Sequence, residues 1–182
     1  MDDLISKIKQ GDNEAFNNLV KDNLTMVLNF VYRFCYDIEL AEDITQEVFI
    51  KIWRNINKYD EGKNFKTWML IIAKNTAIDF LRKRRAIPFS SFEAVDGSND
   101  FTENIQDERI DILCEMIKYD NQSQLTKVIN SLNAKQQLVF YLYYYEELNF
   151  QEIADILHIS VNTIKSQHLR GLSVLRQLMH PN

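Results

Sequence analysis

The stretch from Phe150 to Arg170, FQEIADILHISVNTIKSQHLR, constrains the fold more than any other part of the chain. Its apolar positions are spaced for two short helices around a tight turn. Ile153, Ile156 and Leu157 give the first helix an apolar side, Ala154 leaves room for close helix contact, and Ile159 and Ile164 pin the second helix against it. Ser160 is placed to cap that second helix. Asn162, Thr163, Lys165, Ser166, Gln167 and Arg170 are then left facing outward, all able to bond bases or phosphates in a major groove. By spacing alone, a polar helical hairpin that touches no nucleic acid fits as well.

With 182 residues, 46% hydrophobic, four Gly and two Pro, the chain suits one or two small, mainly helical domains with real cores. No apolar run approaches the roughly 18 to 20 residues that span a membrane, and MDDLISKIKQGDN lacks the segments of a signal peptide, so a cytosolic location is expected. Cys35 and Cys114 lie among apolar neighbours and form no closely spaced ligand pair, which reads as buried reduced thiols. His158, His168 and His180 have no cysteine or acidic cluster of the kind a metal site needs. There is no phosphate-binding glycine loop and no nucleophile with a base partner, so the expectation is a binding protein without cofactor, not an enzyme.

The net charge of −5 is poorly suited to holding DNA unaided, because nonspecific affinity comes mostly from neutralised phosphates. Its distribution is uneven. Lys63, Lys66, Lys74, Arg82, Lys83, Arg84 and Arg85 stand against one acid, Asp79, whereas from Phe92 to Asp120 nine acids meet only Arg109 and Lys118. A basic stripe beside an acidic tether fits a protein delivered to DNA by a larger partner.

Taken from the N-terminus, Leu4, Ile5 and Ile8 begin a short helix that Gly11 ends, and Asp12 caps another built on Ala15, Phe16, Leu19 and Val20. A third apolar face runs through Leu24, Val27, Leu28, Val31, Tyr32 and Cys35. From Glu39 to Ile56, Leu40, Ile44, Val48, Ile52 and Ile56 recur every four residues, with Phe49 and Trp53 widening the stripe. The opposite face carries Glu39, Glu42, Asp43, Gln46 and Glu47, which serves either as a solvated surface or as a dock for a basic partner. A polar loop with Gly62 leads into FKTWMLIIAKNTAIDFLRKRR. There Phe65, Trp68, Met69, Ile72, Thr76, Ala77, Phe80 and Leu81 are expected to face inward, and Lys66, Lys74, Asn75, Arg82, Lys83 and Arg85 to stay at the surface. Cations interleaved with aromatics suit a single nucleic-acid strand, although Trp68 also fits simple packing. Pro88, Ser90, Ser91, Gly97, Ser98 and Asn99 mark a linker, and Ile105, Ile110, Leu113, Met116 and Ile117 a helix within the acidic tract.

In this order the pieces resemble a bacterial RNA polymerase sigma factor of the compact extracytoplasmic-function subfamily, group 4 of the sigma-70 family. ELAEDITQEVFIKIW (Glu39 to Trp53) is similar to the family's clamp-docking helix, FKTWMLIIAKNTAIDFLRKRR to its −10 recognition helix, and the segment from Ser131 to Arg176 to its −35 reader. The resemblance implies an all-α chain of two small helical domains joined by a flexible acidic linker: residues 1–86 like region 2, a linker at 87–121, and residues 122–182 like region 4, a helix-turn-helix. It implies that the chain binds core RNA polymerase and directs initiation at promoter DNA. It further implies that relatives' anti-sigma factors have a counterpart here. Asp43, Gln46 and Glu47 match the clamp-binding positions. Tyr59 and Asn75 match positions lining a pocket for a flipped −10 base, with Lys66 and Arg82 as further −10 contacts. Lys165 and Ser166 match recognition-helix contacts and Arg170 a phosphate contact, with Asn162, Thr163 and Gln167 beside them. Three residues depart from the pattern: His158 stands where the turn has Gly, His168 where a buried Leu is usual, and Gln167 where Arg is common. Histidine tolerates a left-handed backbone, so the turn is expected to survive, while the promoter sequence does not transfer from relatives. A stand-alone helix-turn-helix regulator is the rival reading, and it leaves the acidic and basic helices without a use.

Overall fold

Gly11, at φ +87°, closes the first helix, α1 (Asp2–Lys9), and Asp12 caps the next by accepting the amides of Glu14 and Ala15. That helix, α2, runs unbroken from Asn13 to Cys35, where two helices were expected. Neither Gly nor Pro interrupts Lys21, Asp22 and Asn23, so the backbone ladder continues through them and the Asn23 side chain bonds back to the Leu19 carbonyl at 2.8 Å. The continuous register turns Leu24 outward, 45% exposed, while Val27, Phe30 and Val31 are buried. Tyr36 ends α2 in the left-handed conformation, and Asp37 caps α3 (Ile38–Asn55) through the Leu40 amide.

The computed structural model describes residues 2–85 and 132–179, and the chain divides into two compact units, Met1–Pro88 and Phe89–Asn182. The acidic tract with its expected linker and helix, Cys114 and His180 lie outside the described residues. All regular elements among the described residues are helical, and none of these helices is long and apolar enough to cross a membrane.

In the first unit α3 buries Ala41, Ile44, Val48, Phe49 and Ile52, following the four-residue period. A 3-10 turn (Ile56–Lys58) and a loop then lead to α4 (Phe65–Arg85). Helices α2, α3 and α4 pack on one another in all three pairs, and α1 lies against α2 and the 3-10 turn. Flanked by two neighbours, α4 buries a wide arc: Phe65, Met69, Leu70, Ala73 and Ala77, with Thr67 and Thr76. Position 74 falls inside that arc. Lys74, expected at the surface, is only 8% exposed, its methylene stem lying within the packing.

In the second unit Asn133 and Gln136 form a capping box that starts α5 (Ala134–Phe140), which widens into a π turn over Tyr141–Tyr145. A second capping box, Asn149 with Glu152, starts α6 (Phe150–Leu157), and α7 (Val161–Met179) packs against both α5 and α6. Ile153, Ile156 and Ile164 are fully buried between them.

Candidate nucleic-acid interface

The turn between α6 and α7 is made by His158, which sits at φ 55° and ψ 42° and donates its amide to the Ala154 carbonyl. Ile159 donates to the same oxygen at 3.2 Å. The left-handed backbone expected of this position is therefore adopted without glycine, at roughly 1–2 kcal/mol. Ser160 Oγ accepts the Thr163 amide at 3.1 Å and lies 2.8 Å from the Thr163 hydroxyl, which caps α7 as expected.

At 100° per residue, α7 turns Ile164, His168 and Gly171 into the unit and leaves Asn162, Ser166 and Leu169 on the opposite side. Asn162, Thr163, Lys165 and Arg170 are exposed, and Ser166 and Gln167 half-buried, so all six predicted residues reach solvent from this one helix. Leu169, which the sequence reading passed over, stands among them 65% exposed.

His168 fills its inward position in a ring of aromatics. Its centroid is 5.1 Å from Phe140 and 5.6 Å from Tyr144, both stacked, with Tyr143 at 5.0 Å and Phe150 at 5.2 Å. Nε2 is 3.0 Å from the Tyr144 hydroxyl, and burial holds the imidazole below its ordinary pKa. Gly171 lets α7 approach so closely that a Cβ there would strike the Phe140 ring. The helix is thus seated by an aromatic box and a bare backbone. Beside it a groove of about 320 Å³ is lined by Tyr143, Phe150, Lys165, His168, Leu169 and Leu172.

In the first unit a cavity of about 260 Å³ lies between α3 and α4. Its walls are Lys51, Asn55 and Lys58 on one side and Trp68, Ile72, Asn75 and Thr76 on the other. Thr76 Oγ1 donates to the Ile72 carbonyl at 2.8 Å and accepts from Lys51 Nζ at 3.2 Å, while Asn55 donates to the Lys51 carbonyl at 2.8 Å. Asn75 is exposed, as its surface position in the sequence reading expected, and it lines the cavity. Tyr59 is not among the lining residues. It is 8% exposed, its hydroxyl donates to the Lys63 carbonyl, and its ring packs 5.0 Å from Phe65 and 5.3 Å from Trp68. Tyr59 therefore meets the cavity only through Trp68, on which its ring packs. Of the basic residues, Lys66 and Arg82 are half-buried, Arg82 lies 3.7 Å from Asp79, and exposed Arg84 lies 3.7 Å from Asp37. Lys74 takes no part in the basic surface, and burial pushes its pKa down to about 8.

On the outer face of α3, Asp43 and Gln46 are exposed and Glu47 is half-buried. Ile50, one turn past Gln46 and Glu47, is 44% exposed, an apolar residue on an acidic face. The sequence carried a signal for it, because Ile50 falls outside the four-residue period of its neighbours. Among the described residues no His, Cys, Asp and Glu grouping could hold a metal ion.

The sequence matches two family models, Sigma-70 region 2 over residues 19–87 and Sigma-70 region 4 over residues 128–177. It is 33% identical over 175 residues to the ECF RNA polymerase sigma factor SigW of Bacillus subtilis, an alignment covering 95% of this chain and 93% of that one. The chain belongs to the extracytoplasmic-function group of the sigma-70 family. As a sigma factor it serves RNA polymerase in promoter-specific initiation and is not itself an enzyme. The region 2 match contains the acidic face of α3 and the cavity, and the region 4 match contains the helix-turn-helix. The RNA polymerase sigma-H factor of Pseudomonas aeruginosa is 27% identical, covering 98% of this sigma factor and 93% of its own length. The fold is shared with CnrH solved with the cytosolic domain of CnrY, at a TM-score of 0.61 and 19% identity over 97% of this chain and 94% of that one. It is shared also with the sigma factor RpoE of Bartonella quintana solved with the anti-sigma factor NepR, at 0.60 and 20% over 90% and 96%.

Proposed function

We propose that this sigma factor docks on core RNA polymerase through Asp43, Gln46 and Glu47, captures an unstacked −10 base at the cavity between α3 and α4, and reads the −35 duplex with α7. The observation that carries the reading is the row of outward polar side chains on α7 behind a fully capped turn. Lys165 and Ser166 are the base-contacting pair, Arg170 binds phosphate, and Asn162, Thr163 and Gln167 flank them.

On α3, Ile50 supplies an apolar anchor inside a charged rim, the composition of a protein interface. At the cavity, the Trp68 ring offers a stacking wall and Asn75 a hydrogen-bonding edge, while Lys51 and Lys58 stand where a phosphate would follow. Tyr59 acts from behind by holding Trp68 in place, and Lys66 and Arg82 track the strand. Stacking one base is worth roughly 1–3 kcal/mol, which offsets part of the melting of an A·T-rich step without ATP hydrolysis. The reading assigns the sigma factor to the cytoplasm, where the polymerase works. CnrH and RpoE were solved with CnrY and NepR, which supports an anti-sigma partner for this chain as well.

The test is pull-down with bacterial core polymerase followed by run-off transcription on a fragmented genomic library. Core polymerase is expected to co-purify, and discrete transcripts to require both components. Failure of the two to associate overturns the proposal. Tight operator binding by the purified chain alone would favour a stand-alone regulator.

A further inference from the structure

The −35 reading leaves one residue of α7 without a role. Leu169 is a large apolar side chain, 65% exposed, on a helix whose other outward residues are polar or charged. It lies one turn from Lys165 and Ser166 and next to Arg170, and it points away from the side on which Ile164, His168 and Gly171 pack. Among the described residues Leu169 meets the unit only at the rim of the groove it shares with Tyr143, Phe150 and Leu172, and most of its side chain stays in solvent. The close fit of Gly171 on Phe140, with His168 held in its aromatic box, fixes the rotation of α7 and so fixes the direction of Leu169.

We infer that Leu169 is a specificity-determining residue that packs on the C5-methyl group of a thymine in the −35 element. The inference rests on the −35 reading above. A leucine can neither donate nor accept a hydrogen bond, and the thymine methyl is the apolar group on the floor of the major groove. The same side chain disfavours cytosine at that position, because it would cover the N4 amino donor without offering an acceptor. Lys165, Ser166 and Arg170 supply hydrogen bonds and charge around it, so the helix pairs one shape-reading contact with several polar ones.

The test uses holoenzyme assembled from the full chain and core polymerase, with a promoter duplex selected from a library randomised across the −35 element. Each −35 thymine is then replaced singly by deoxyuridine, which removes the methyl group and leaves every hydrogen bond. One replacement is expected to weaken binding about fourfold, the worth of a single buried carbon group. Leu169→Ala is expected to lose a similar factor on the thymine duplex and to show no further loss on the deoxyuridine one. Selection of an element without thymine, deoxyuridine replacements that are all neutral, or an alanine variant that keeps the full deoxyuridine penalty each overturns the inference while leaving the −35 reading intact. If Leu169→Ala instead weakens association with core polymerase and leaves methyl sensitivity unchanged, Leu169 belongs to a protein contact along the adjoining groove, and the inference is wrong. A holoenzyme that selects no duplex at all overturns the −35 reading itself.

Discussion

Replacing Lys74 with methionine should stabilise the N-terminal unit, by an amount that depends on pH in a way no surface lysine could produce. Lys74 is 8% exposed, and burial lowers its pKa from 10.5 to about 8. At about 1.36 kcal/mol per pH unit, keeping the ammonium in that site costs roughly 3 kcal/mol at pH 7. Methionine keeps a long unbranched stem and removes the charge, so Lys74→Met should gain about 2–3 kcal/mol there. Between pH 8 and 10.5 the unfolded chain holds the lysine proton while the folded chain releases it. Wild-type stability therefore climbs with pH across that window, and the advantage of the variant shrinks by about 2 kcal/mol, to roughly 1 kcal/mol or less, by pH 9.5. The two tryptophans of the chain, Trp53 and Trp68, both lie in this unit, so urea unfolding followed by tryptophan fluorescence reports it alone. Equal stability of the two proteins at pH 7, or a difference that is the same at pH 7 and 9.5, would refute the reasoning and return Lys74 to the surface.

Reversing both charges on α3, Asp43→Lys with Glu47→Lys, should weaken core polymerase binding by 30-fold or more, on the order of 2 kcal/mol, and leave stability within about 0.5 kcal/mol, since the two positions still repel one turn apart; titration at two salt concentrations checks it, and unchanged affinity counts against the acidic dock. Asn75→Ala should impair open-complex formation more than closed-complex binding, because it removes a polar edge at the −10 cavity and leaves α7 untouched; permanganate reactivity equal to wild type would exclude the role. His168 has a folded-state pKa below its unfolded value, so its contribution to the stability of the C-terminal unit is complete above about pH 6.5 and is lost as pH falls through the folded value, by at most about 1.36 kcal/mol per pH unit. Against His168→Leu, wild type should lose ground steadily from pH 7 to pH 5 in near-ultraviolet circular dichroism melts, and parallel curves would contradict the assignment.

Periodicity carried the helices because it reports the one-dimensional consequence of burying one face. The four-residue rhythm of Ile44, Val48 and Ile52 placed α3 and, by exclusion, put Asp43, Gln46 and Glu47 outside. Local chemistry carried the turns: Asp12, Ser160 and His158 behave as their side chains and backbone tolerances require. The same method failed where a decision belongs to tertiary packing. Three polar residues read as a gap between helices, yet lacking a backbone breaker they simply continue α2. Lys74 was placed outside by its charge, whereas two covering helices put that arc inside. The burial of Tyr59 against Trp68 depends likewise on a loop conformation that no spacing rule encodes. The cavity also drew Lys51, Asn55 and Lys58 from outside the expected set, since concavity arises between elements and not within one.

The π turn at Tyr141–Tyr145 has a consequence for how this half of the molecule can change. A widened turn holds one residue more than an ordinary helical ring, so it works as a spacer whose length, more than its chemistry, decides which tyrosine meets His168. Exchanging exposed Tyr145 for phenylalanine should be nearly silent. Deleting a single residue from YLYYY would remove that spacer, change which rings are presented to His168 and so dismantle the seat of α7 by a change made in another helix.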